Sequence, residues 1–152
     1  MSVVARLEPG VLNPQLELAQ FMEQAHGDGA IVSFVGLARP ETTKGDAIEA
    51  LVLEYHPTLT RRSLEAIAVA CEQRFDVRQI LVVHRCGAVS AGEPIVLAAA
   101  ASAHRRAAFD AVDYLMDRLK TEAIFWKREI GDDGSAWIEA TQADFADRDR
   151  WK

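Results

Sequence analysis

Three groups of residues have types and spacing that could carry chemistry. The first is "KTEAIFWKRE", which sets Lys120 and Lys127 seven residues apart with Ala-Ile-Phe-Trp leading into the second lysine. A lysine held out of water beside another cation loses proton affinity and can serve as acid, base or nucleophile. The second is "SAHRRAAFDA", with His104, Arg105 and Arg106 in the first turn of a predicted helix. Cations there oppose the helix dipole, and a bound phosphate or carboxylate would reverse that sign. The third is "FVGLAR", a strand end with Arg39 at its mouth, where binding groups are common. Each group has a plainer reading. Lys120 could simply stabilise a helix C-terminus, Lys127 could snorkel or pair with Glu129 along an edge strand, and Arg39 could pair with Glu41. The basic turn at 104–106 could be solvated, and His84-Arg85 in "VVHRCG" read as structural.

The elements that would position these groups follow from periodicity and punctuation. A short strand at 3–8 precedes Asn13-Pro14, an N-cap followed by proline at the first helical position, and a helix to about Ala25. "GAIVSFVGLA" (29–38) reads as a buried strand, with "AIEALVLEY" (47–55) as its antiparallel partner across a polar loop. Leu64, Ile67, Ala68, Cys71 and Phe75 fall at helical spacing in a helix from Thr58 or Thr60 to Phe75. Strands at 77–87 and 93–103 flank the turn "AVSAGE", and Ser102 is a candidate cap for a helix from about Ala103 to Lys120. "AIFWKREIG" and "SAWIEAT" close as a hairpin over Asp132-Asp133-Gly134, so Phe125, Lys127 and Glu129 share one face. A short helix or ordered tail ends the chain from about residue 142. The connections at 39–46, 88–92 and 131–135 are too tight for crossover helices, which points to an α+β domain with a mostly antiparallel sheet and helices packed on it.

The 152 residues, 49% of them hydrophobic, suit one domain spanning 1–152 with a sizeable core. A net charge of −6 argues against general nucleic-acid binding, and local basic clusters in an acidic chain suggest a small anionic ligand. No apolar run is long enough to span a bilayer and no secretory signal opens the sequence, so a cytoplasmic protein free of membranes is expected. Cys71 and Cys86 read as buried apolar residues, and the histidines are scattered, so neither a metal nor another cofactor is expected. No phosphate-binding glycine loop, dinucleotide fingerprint, nucleophile elbow or zinc-protease motif is present.

In order and spacing, "GAIVSFVGLAR", "LVLEYHP", "VVHRCGAVSAGE", "SAHRRAAFDAVDYLMDRLK" and "FWKRE…G…W" resemble the large, catalytic subunit of molybdopterin synthase, from about Gly29 to Trp137. The resemblance implies an α/β hammerhead-like fold. It also implies a sulfurtransferase that converts precursor Z, a cyclic pyranopterin monophosphate, into molybdopterin. Two sulfurs would come from the C-terminal Gly-Gly thiocarboxylate of a small ubiquitin-like partner, within a heterotetramer built on a homodimer of large subunits. The implied catalytic residues are Lys120 and Lys127. The implied substrate-binding residues are Leu37, Ala38, Arg39, His104, Arg105, Lys120, Lys127, Arg128 and Glu129. The alternative is a non-catalytic module that docks a ubiquitin-like tail. The chain departs from the family pattern at Ala123-Ile124, where a proline is usual, at Thr141, where an arginine is frequent, and in "PETTKGD", which replaces a more Asn-rich loop. His104 and Lys120 lie at opposite ends of one predicted helix, roughly 24 Å apart at 1.5 Å per residue. If both serve one ligand, they must come from different copies of the chain.

Overall fold

A computed structural model describes residues 2–152. Its elements run β1 (Ser2–Glu8), α1 (Pro14–Gln24), β2 (Ala30–Leu37), β3 (Ala50–Glu54), α2 (Pro57–Arg74), β4 (Gln79–Arg85), β5 (Gly87–Ser90), β6 (Pro94–Ser102), α3 (Arg105–Glu122), β7 (Trp126–Gly131), β8 (Gly134–Ile138) and α4 (Gln142–Asp149). Local chemistry sets the helix starts. The Asn13 side chain accepts the Leu16 N–H at 3.1 Å ahead of Pro14. His56 Nδ1 accepts from Thr58 and Leu59 ahead of Pro57. Thr141 and Asp144 cap α4 reciprocally, each side chain taking the other's backbone N–H.

The larger sheet has the order β1-β4-β6-β2, with β1 and β4 parallel and the other pairs antiparallel. Its two central strands are buried on both faces, and the period of two divides their side chains cleanly. Ile80, Val82, Val96, Ala98 and Ala100 pack under α2 and α3 against Leu64, Ile67, Ala111 and Leu115. Leu81, Val83, Leu97, Ala99 and Ala101 face the other way, against Leu12, Phe21 and Ala25 at α1. The Ala98–Ala101 run is fully buried, so along this part of β6 the sheet presents only methyl groups to the elements on either side. The result is the expected α+β class, with helices on both faces of a mostly antiparallel sheet.

The smaller sheet, β5-β3-β7-β8, departs from expectation. β3 does not pair with β2, whose partner is β6; it pairs with β5 and β7. The loop after β2 turns the chain away: the Ala38 N–H donates to Glu93 O at 2.8 Å, and the Ile48 N–H to Pro40 O at 2.8 Å, carrying β3 into a second layer. "AVSAGE" is only partly a turn. Its first residues belong to β5, which follows a corner at Gly87, where φ is 82°, and the turn itself is confined to the stretch around Gly92, at φ 86°. Ser102 ends β6 rather than opening α3. Its hydroxyl donates to Asp76 O at 2.8 Å, so His104 holds the N-cap position with no side-chain cap.

Candidate active site at the junction of α3 and β7

The connector from α3 to β7 is pinned by α2. Thr60 Oγ1 donates to Ile124 O at 2.6 Å, and the Ile124 N–H donates to Ser63 Oγ at 3.0 Å. The second bond uses an N–H that a proline at this position would lack, so the Ala123-Ile124 departure is held by a hydrogen bond. The connector delivers Lys120, exposed in the last turn of α3, and Lys127, half-buried in β7, to one cleft of about 450 Å³. Phe125, Trp137, Ile138 and Phe145 supply much of its wall.

The Lys127 amine is pushed down from 10.5 to about 8. Burial is the main cause, the Lys120 charge adds to it, and Asp144 opposes both. An edge-strand pair of Lys127 with Glu129 is absent, because β7 lies between β3 and β8 and Glu129 has another partner. That partner is Arg39, whose Nε and Nη2 donate to the two Glu129 carboxylate oxygens at 3.1 and 3.4 Å. The expected Arg39–Glu41 alternative is therefore not formed. Glu129 is buried while Arg39 stays half exposed, so the carboxylate orients a guanidinium that still faces solvent.

The other candidates are spread around the molecule. Arg128 points to the opposite face of β7, ion-paired to Glu54 at 3.2 Å with its guanidinium over the Trp137 ring. Ala38 is buried at the corner after β2, where its carbonyl accepts the Gly92 N–H at 2.7 Å. Leu37 lies in an apolar groove with Leu18 and Val35 rather than in the lysine cleft. His104, Arg105 and Arg106 line a separate cavity of about 420 Å³ beside Gly29, at the far end of the 18-residue α3.

Sequence reasoning missed the contribution of α4, whose Phe145 forms cleft wall and whose Asp144 acts on Lys127. The signal was "TQAD", a capping-box pattern starting at Thr141, which marks a helix rather than a tail. The far end of α4 is fastened to α3. Arg150 and the Trp151 indole N–H both donate to Asp117 at 2.7 Å, and the Trp151 ring meets Phe75 and Tyr114 edge-on. Among the described residues no helix is long and apolar enough to cross a membrane.

Comparison with known proteins agrees with this architecture. The family model described as "MoaE protein" matches residues 11–122. The chain is 44% identical over 144 residues to the molybdopterin synthase catalytic subunit of Caulobacter vibrioides, covering 95% of this chain and 91% of that one. The solved structure of molybdopterin cofactor biosynthesis protein E from Burkholderia multivorans matches with a TM-score of 0.82 at 32% identity, over 99% of this chain and 97% of that one. A complex of subunits 1 and 2 of molybdopterin-converting factor from Helicobacter pylori shares the fold, with a TM-score of 0.72 at 21% identity over 91% of this chain and 90% of that one. The chain belongs to the MoaE protein family, that of the molybdopterin synthase catalytic subunits.

Proposed function

We infer that this chain is the catalytic subunit of a molybdopterin synthase that makes the molybdopterin dithiolene from precursor Z. The sulfur would come from the C-terminal thiocarboxylate of a small ubiquitin-like partner. The observation that carries the reading is the meeting of Lys120 with a half-buried Lys127 of lowered proton affinity in one cleft. A docking groove would need no such amine. Lys120, charged and exposed, suits the incoming thiocarboxylate anion. Lys127, neutral in part near pH 7, suits proton transfer as the substrate's cyclic phosphate opens. Attack by the thiocarboxylate sulfur on a substrate carbon forms a thioester as that carbon's bond to oxygen breaks, the oxygen leaving with the opening phosphate or, once protonated, as water. Water then cleaves it, leaving the sulfur on the pterin side chain and a carboxylate on the partner. Two rounds supply both sulfurs.

The cyclic phosphate needs a cationic clamp, for which Arg39, His104 and Arg105 are suited. The cavity at His104 and Arg105 is separate from the lysine cleft of the same chain. Its residues would therefore serve the cleft of a second copy, in a homodimer at the centre of a heterotetramer. Purified chain mixed with precursor Z and thiocarboxylated partner is expected to form the dithiolene, and Lys120→Ala and Lys127→Ala to lose it. No product with wild type, or full activity in both variants, would sink the assignment. Mixed dimers of His104→Ala and Lys127→Ala chains should regain activity that neither homodimer has; no recovery would show that the site is not shared.

A further inference from the structure

His84 lies behind the lysine cleft, and no step above uses it. It is 5% exposed, in β4, next to the corner where the chain leaves the larger sheet for the smaller one. Its Nδ1 lies 2.8 Å from Arg85 O, so Nδ1–H donates to that carbonyl and Nε2 is left bare in the neutral ring. The ring stacks on Phe125 with centroids 4.4 Å apart and planes 30° apart. Phe125 and Lys127 both line the cleft. The imidazole stays neutral: burial first, against the pull of the Arg85 carbonyl, and then the facing charges of Lys127 and Lys120 together bring it down to about 4.

We propose that His84 is a positioning residue for Lys127, holding Phe125 by ring stacking so that the dry wall beside the amine stays closed to water. The proposal rests on the reading of Lys127 as the cleft's proton-transfer group. Thr60 and Ser63 hold the connector backbone at Ile124, and His84 holds the ring of the next residue, Phe125. Because burial is the chief cause of the lowered Lys127 value, whatever keeps water from the amine sets how much of it is neutral. Histidine serves here where phenylalanine would only half suffice, since Nδ1–H also satisfies a carbonyl at the corner between sheets. The ring and the donor thus have separable consequences.

The test is an NMR titration of the protein after ¹³C reductive methylation of its lysines, with the Lys127 signal identified by its loss in Lys127→Arg. In His84→Ala the Lys127 titration should move up by about one pH unit or more, which cuts the neutral amine at pH 7 about tenfold. The kcat should fall by a similar factor with little change in KM. In His84→Phe the stack persists, so Lys127 should titrate near its wild-type value and most of the lost kcat should return, while Tm drops because the Arg85 carbonyl has lost its donor. His84→Leu, apolar but without the ring, should move Lys127 in the same direction as the alanine variant and replaces it if alanine does not fold. An unmoved Lys127 titration in the alanine or leucine variant, or an equal movement in His84→Phe, overturns the proposal. The titration needs neither substrate nor partner, so it is read even if dithiolene formation fails.

Discussion

Replacing Lys127 by methionine should stabilise the protein while abolishing its activity. Lys127 ionises at about 8 in the fold against 10.5 ordinarily. Between those values the unfolded chain binds the proton and the folded chain does not, so stability rises with pH across that window. Below about pH 8 both states are protonated, and the fold bears the full cost of a charged amine out of water. The difference corresponds to about 3 kcal/mol as an upper bound, since relaxation around the charge reduces it. Methionine keeps most of the volume and removes the charge, so at pH 7 a gain of about 1–3 kcal/mol is expected. The gap from wild type should shrink as pH approaches 10.5. Urea unfolding of both proteins at pH 7 and pH 10 measures it, and the difference cancels other groups that titrate in the range. A methionine variant less stable than wild type at pH 7, or a gap that ignores pH, would refute the reasoning.

Arg39→Ala strips the buried Glu129 carboxylate of both its hydrogen bonds and should cost about 1–2 kcal/mol in urea unfolding, a figure reduced because Arg39 is half exposed. Adding Glu129→Gln should return part of that loss, and no recovery would mean the pair is not the cause. Gly29→Ala would put a methyl group 2.3 Å from the Ala103 carbonyl oxygen, so the backbone ahead of His104 must shift. A loss of about 1–3 kcal/mol is expected, with weaker binding of inorganic phosphate at His104 and Arg105 by calorimetry. Unchanged stability and unchanged binding together would contradict it.

Much of the local structure was legible because it is written in short-range chemistry. Asn13-Pro14, the helical spacing from Leu64 to Cys71 and the turn at Asp132–Gly134 each act within a few residues of themselves. The pairing of β3 was not legible, since alternation at 50–54 names a face and not a partner. β5 was hidden by its brevity between Gly87 and Gly92, with Val89 its only fully buried side chain. At the site, the two lysines stood out as cations beside aromatics. The Arg39–Glu129 bond joins residues 90 positions apart, and the wall at Phe145 comes from a helix near the chain's end. The first leaves no local trace, and the second leaves only the capping box that marks a helix without saying what that helix covers.

The pairing of β3 with β7, which sets Leu51 opposite Glu129, also orders events during synthesis. The larger sheet and its three helices draw only on residues up to Glu122 and share no strand with the smaller sheet, so they can form before β7 has cleared the ribosome. β3 would then wait beside that layer with its β7-facing row of backbone groups unpaired, and because α3 is already in place only the short 123–125 connector has to be ordered to bring in the lysine strand. A chain in that state would have its larger layer folded and no closed cleft. Lys127 leaves water only once the hairpin and α4 are available to shut the cleft around it.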